Sequence, residues 1–125
     1  ILCRLVSIFS PGSGPSSKNS KQWTGKFLVH SKQSQTYYRN SESFWVKYAP
    51  LFRKNIQNLQ KPISIEFTFI RGTRHKFDYV NPLQTILDLM VKHNWIDDDN
   101  ADEVLPSFGK YSYDKNNPGV NIKIL

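Results

Sequence analysis

The chain has 125 residues, 38% of them hydrophobic and 14% aromatic, enough apolar area for one packed domain and too much for a disordered chain. No apolar run is long enough to cross a bilayer, so a soluble protein with no membrane partner is expected. The net charge of +7 is uneven: residues 1–61 hold ten Lys or Arg against the single acid Glu42, giving +9, whereas residues 62–125 hold seven against nine acids, giving −2. A basic half joined to an acidic cluster suits a protein that grips a polyanion and does metal chemistry on it, and equally a soluble protein with an ordinary high pI.

Residues 1–9 read as a first strand rather than a signal peptide, since no basic stretch precedes them and no small-residue cleavage site follows. Cys3 has no partner for an intrachain disulfide and no nearby base, so its expected role is packing in a reducing compartment. A turn-rich stretch, Ser10-Pro11-Gly12-Ser13-Gly14-Pro15, then opens a basic mobile loop over about residues 10–41. Lys18, Lys21, Lys26, Lys32 and Arg39 in that loop are interleaved with Trp23, Phe27, Tyr37 and Tyr38. Rings and cations so mixed suit a nucleic-acid strand, but a loop this long needs anchors, and anchoring is the better reading of its aromatics.

Ser41-Glu42-Ser43 marks a helix start, and Phe44, Tyr48, Phe52, Ile56 and Leu59 carry a helical spacing through residues 43–59, with Pro50 predicting a kink or two shorter helices. Ile63, Ile65, Phe67 and Phe69 alternate with Ser64, Glu66 and Thr68 as a half-buried strand. Gly72-Thr73 ends it, and Arg74, His75 and Lys76 lead to Asp78. Asn81 as N-cap and Pro82 at the first helical position open a second helix, whose apolar stripe is Leu83, Ile86, Leu87, Met90 and Val91. Asp88 and Lys92 face the other way at i,i+4 spacing, which reads as a solvated ion pair. Val120, Ile122 and Ile124 alternate with Asn121 and Lys123 as a last strand. Two helices and several strands give an α+β domain with a small mixed sheet.

Asp78 and the run Asp97-Asp98-Asp99 flank the second helix. A helix over these 22 residues is about 20 Å or more in length at about 1.5 Å per residue, so the two acid groups meet only if the chain folds back or a second subunit supplies one. Three adjacent carboxylates near a helix C-terminus repel one another and the macrodipole, a cost that Mg²⁺ or Mn²⁺ relieves. They also fit a solvated turn ahead of a helix capped at Asn100, and spacing alone favours that turn. His30, His75 and His93 lack the spacing of zinc ligands, and no Gly-rich phosphate loop, G-x-S-x-G elbow or HExxH occurs.

Over roughly residues 8–125 the pattern resembles the RusA family of Holliday-junction resolvases, small homodimeric endonucleases of phages and prophages. The family motif runs Asp-x-Asp-Asn, a helix with a lysine three residues past the Asn, then a segment ending in Asp-Asp; Asp78, Asn81, Asp98 and Asp99 match it without a gap, with Asn94-Trp95-Ile96 as the segment before the acids. Pro15-Ser16-Ser17-Lys18-Asn19 resembles the family's early loop, and Lys61-Pro62-Ile63 the approach to its central strand. Two positions depart: Val80 stands at the second Asp and Gln84 at the lysine.

The resemblance implies a RusA-like fold, a cytoplasmic bacterial or phage-encoded homodimer, and a Mg²⁺-dependent endonuclease that resolves four-way DNA junctions in recombination and repair. Asp78, Asp98 and Asp99 would be catalytic, Asp78 and Asp99 holding Mg²⁺ or Mn²⁺, and Asn81 and Gln84 would support the site. Lys18, Lys21, Lys26, Lys32, Arg39, Arg74 and Lys76 would bind DNA. Because a valine cannot coordinate a metal, the alternative is a non-catalytic relative that binds branched DNA, with Asp97 or Asp88 as candidates to replace the missing ligand.

Overall fold

The computed structural model describes residues 7–11, 21–23, 28–30 and 32–125, with side chains from Arg39 onward. In chain order the elements are β1 (Ser7–Pro11), β2 (Lys21–Trp23), β3 (Leu28–His30), α1 (Lys32–Ile56), β4 (Ile63–Arg71), α2 (Val80–Lys92), β5 (Val104–Phe108), β6 (Ser112–Tyr113) and β7 (Gly119–Ile124). The main sheet runs β1-β7-β4-β5, with β6 beside the far end of β4, and β2 and β3 form a separate antiparallel pair. β7 is antiparallel to both β1 and β4, whereas β5 and β6 are parallel to β4, so the sheet is mixed and open, as expected of the α+β class.

The period of two in β4 explains how the sheet finds its core. Ile63, Ile65, Phe67 and Phe69 are buried, and the register Ile65↔Ile124, Phe67↔Ile122 and Phe69↔Val120 lays the buried residues of β7 beside them on one face. Trp45, Phe52 and Ile56 of α1 and Ile86, Leu87, Leu89 and Met90 of α2 close over that face in one cluster. Among the described residues, no helix is long and apolar enough to cross a membrane.

Three expectations change. The segment expected to be a loop over residues 10–41 holds β2, β3 and the first turns of α1, which begins at Lys32 rather than near Ser41. Ser41 is buried inside the helix, so its hydroxyl does not mark a start. The helix also passes through Pro50 without a break. Pro50 and Val46 are both exposed, so the carbonyl that Pro50 leaves without a donor, four residues back, faces water, while Trp45, Phe52 and Ile56 hold the buried side in place. Finally, the acids at 97–99 lead not into a helix at Asn100 but into a turn: Asn100 accepts from Asp102 N–H through Oδ1 (2.9 Å) and from Glu103 and Val104 N–H through its carbonyl (3.0 and 3.1 Å), and β5 follows at once.

β5 and β6 flank an irregularity on the free edge of β4. Between the pairs Phe67↔Phe108 and Ile70↔Ser112 the outer strand uses one residue more than β4, a bulge centred on Gly109. Gly109 N–H still donates to Phe67 C=O (3.0 Å), and a Cβ there would sit 2.3 Å from Thr68 Oγ1, so only glycine permits this approach. Bonds from Ile63 N–H to Glu103 C=O and from Gly109 N–H to Phe67 C=O turn the odd-numbered residues of β5 toward β4. Pro106 therefore faces the open edge, where its missing N–H discourages pairing with another strand.

Candidate functional site

The site is built on the exposed side of α2. Pro82, Thr85, Ile86, Leu89 and Met90 are buried, which leaves Asn81, Gln84 and Asp88, at successive spacings of three and four, along the opposite side. Asp78 lies just before this row, on the loop from β4. Its Oδ1 accepts the Val80 N–H (3.0 Å) and its Oδ2 the Asn81 side-chain amide (3.2 Å). Asn81 is thus not the N-cap: the helix begins at Val80, and the Asp78 carboxylate takes a first-turn N–H, where the macrodipole favours negative charge.

The chain returns to the same row after α2. His93 N–H bonds Leu89 C=O (3.0 Å), Asn94 N–H bonds Val91 C=O (3.2 Å) and Trp95 N–H bonds Met90 C=O (2.8 Å), the pattern of a Schellman turn with Asn94 in the left-handed region at φ 65°. Trp95 and Met90, the apolar pair such a turn brings together, are both fully buried, and Trp95 Nε1–H donates to Trp45 C=O of α1 (2.7 Å). This reversal carries Asp99 back to the middle of α2, where Gln84 Nε2 donates to Asp99 Oδ2 (3.3 Å) and to Asp88 Oδ1 (2.8 Å). The fold-back that a meeting of the acid groups requires is therefore present within one chain: Asp99 stands at Gln84, and Asn81, which holds Asp78, is the next residue up that row.

The remaining acids are engaged locally. Asp98 accepts Asp99 N–H (2.8 Å) and the Asn100 side-chain amide (3.1 Å), so both its oxygens serve its own turn. Asp97 is turned toward the end of α1, bonded by Arg53 Nη2 (2.7 Å) and Lys61 Nζ (3.2 Å); Lys61 also reaches Glu103 (2.7 Å), and Arg53 bonds both the carbonyl and the side chain of Asn94. The Arg53 and Lys61 cations hold the Asp97 carboxyl below its usual range, while hydrogen bonds to Glu103 and Asp97 raise Lys61. Asp97 is thus engaged at the end of α1, while Val80, at the start of α2, is 67% exposed. Among the described residues, no three His, Cys, Asp or Glu side chains converge as a ready-made metal cage. Mg²⁺, however, commonly binds one or two carboxylates and fills its remaining positions with water and phosphate oxygens, which is what two solvent-facing acids on one row can offer.

Of the cations expected to meet DNA, Arg74 and Lys76 are exposed on the loop that carries Asp78, and Arg39 is exposed on α1. Lys18 and Lys26 lie outside the described residues, and so do the side chains of Lys21 and Lys32 and of Trp23, Phe27, Tyr37 and Tyr38. Asp88 does not form the ion pair with Lys92 that its spacing suggests. The ion pairs among the described residues are Arg53–Asp97, Lys61–Asp97 and Lys61–Glu103, so Asp88 is held by Gln84 rather than by Lys92. The same i,i+4 rule relates Asp88 to residues on both sides, and in the fold it is Gln84 that bonds it while also reaching Asp99. In comparisons with known proteins, no family model and no curated sequence matches the chain.

Proposed function

We propose that the protein is a RusA-like, Mg²⁺-dependent endonuclease of four-way DNA junctions, cytoplasmic and encoded by a bacterium or phage, acting as a homodimer. The observation that supports it most is the return of Asp99 to the α2 row headed by Asp78, the pair of acids that the motif assigns to the metal. In this reading Asp78 and Asp99 hold Mg²⁺ or Mn²⁺, Asp98 shapes the turn that presents Asp99, and Asn81 and Gln84 position the two carboxylates. The ion would activate a water and stabilise charge on the reacting phosphate. Arg74 and Lys76 contact the neighbouring phosphates. Incubating the protein with Mg²⁺ or Mn²⁺ and an end-labelled four-way junction should give symmetric nicks that Asp78→Asn and Asp99→Asn abolish; an uncut junction at high protein concentration sinks the proposal.

A second reading has its own support. The Gln84 amide bridges Asp88 and Asp99 where the motif has a lysine, and Val80 offers no oxygen, so the same surface also suits a relative that binds branched DNA without cutting it. That reading expects salt-sensitive junction binding that Asp99→Asn preserves or strengthens, because removing a carboxylate near phosphates removes repulsion. Equal affinity for junction and plain duplex would exclude it.

A further inference from the structure

Five rings gather beside Asp78 in a cluster that neither the metal nor the family motif accounts for. Phe69 is buried in the core and anchors it. Phe77 and Tyr79, the residues on either side of Asp78, pack on Phe69 at centroid distances of 5.4 and 6.5 Å. Phe108 packs tilted against Tyr79 (4.5 Å, 33°), and Tyr111 against Phe77 (5.2 Å, 42°). Phe108 and Tyr111 sit on either side of the Gly109 bulge, and they are 40% and 46% exposed. Burial of the inner rings thus fixes the outer two while leaving much of their surface in water.

Cations surround these rings. The Arg71 guanidinium lies 4.7 Å from the Phe77 centroid, and that of Arg74 lies 3.9 Å from the Tyr113 centroid. Lys76 and Lys110 are exposed in the same two loops. Residues 71–79 and 108–115 together carry five Lys or Arg against Asp78 and Asp114, a local charge of +3. Asp114 is exposed, and one of its carboxylate oxygens accepts the N–H groups of Asn116 and Asn117 in its own turn. A second copy of the chain docking face to face would set this positive rim against itself, whereas a polyanion with flat apolar groups complements both the charge and the rings.

Resting on the nucleic-acid reading above, we infer that Tyr79, Phe108 and Tyr111 form a stacking platform for an unpaired base of a single strand, with Arg74 and Lys76 on its phosphates. Base stacking on an exposed ring is tolerant of sequence, and phosphate contacts are read out as salt dependence, so the two contributions separate in one assay. The platform shares its loop with Asp78, so a strand seated there is delivered to the acidic row.

The test is fluorescence anisotropy of a labelled twelve-residue oligothymidylate with the full chain at several salt concentrations. Phe108→Ala should weaken binding about 5-fold to 100-fold with an unchanged salt slope. Arg74→Ala should instead flatten the slope by about 0.7, the change expected when one phosphate is no longer neutralised. Phe108→Trp should keep wild-type affinity, and Phe108→Leu, which preserves apolar packing against Tyr79, should bind as poorly as Phe108→Ala, separating stacking from folding. Three results overturn the inference: no oligothymidylate binding by the wild type at low salt, equal affinity of Phe108→Leu and wild type, or a loss of self-association in sedimentation that accounts for the Phe108→Ala effect. Junction cleavage with no single-strand binding would refute the platform alone, and single-strand binding with no cleavage would refute only the nuclease reading.

Discussion

Replacing Trp95 tests whether the fold-back is a packed structure or a loose connection. Its indole is 0% exposed, lies 4.9 Å from the ring centroids of both Trp45 and Phe52 and 5.9 Å from that of Phe44, and donates its N–H to Trp45 C=O at 2.7 Å. Truncating a buried aromatic to alanine costs about 3–5 kcal/mol, a large share of the roughly 5–15 kcal/mol that holds a domain together. Trp95→Phe keeps most of the ring packing but loses the hydrogen bond, worth about 1 kcal/mol, and part of the ring volume, so about 1–3 kcal/mol is expected. Urea unfolding followed by far-ultraviolet circular dichroism measures both differences, with an unchanged slope showing that stability has changed and the surface exposed on unfolding has not. Because Trp95 anchors the turn that returns Asp99, Trp95→Phe should also weaken divalent-ion binding. A cost below about 1 kcal/mol for Trp95→Ala would refute the idea that this turn is held by packing.

Other consequences follow from single interactions. Gly109→Ala should cost about 1–3 kcal/mol through overlap with Thr68, and combining it with Thr68→Ala, which removes the nearest atom, should recover part of that cost in a double-mutant cycle. Asp97 titrates below the usual carboxylate range because of Arg53 and then Lys61, so its contribution is present above the unfolded-state pKa and is lost as pH falls through the folded value; Arg53→Ala should shrink the difference in urea midpoint between neutral and strongly acidic pH. Burial, and then Lys92, lowers the His93 pKa, so stability should fall as pH drops from the ordinary imidazole range through the folded value, a dependence that His93→Gln removes. Combining Val80→Asp with Gln84→Lys should raise Mn²⁺-dependent junction cleavage above wild type, and no increase would count against the assignment of the acidic row.

The parts of the fold that were legible in the sequence are those where one local pattern determines the outcome. The alternation of Ile63, Ile65, Phe67 and Phe69 and that of Val120, Ile122 and Ile124 each specify a one-sided strand, and their register in the sheet joins the two buried faces. Pattern failed where tertiary packing overrides local signals. Pro50 reads as a break, yet α1 continues because the side that loses its hydrogen bond faces water. β5 carries Pro106 and little alternation, and it exists because β4 offers an edge. Around α2, the order of the motif singles out Asp78, Asn81 and Gln84, and the fold bonds Asn81 to Asp78 and Gln84 to Asp99. The choice of Gln84 over Lys92 as the partner of Asp88 was not legible, because i,i+4 spacing allows both, and neither was the diversion of Asp97, which depends on where the turn after Trp95 delivers the chain.

The central claim is that Asp78 and Asp99 share one divalent ion on the α2 row. Titrating substoichiometric Mn²⁺ into the isotope-labelled protein and recording amide resonances tests it most directly, since the paramagnetic ion broadens signals in its vicinity. Joint broadening of Asp78, Val80, Asn81 and Asp99, lost throughout in Asp99→Asn, is the expected result; broadening confined to one of the two segments, or its survival in Asp99→Asn, would contradict a shared ion.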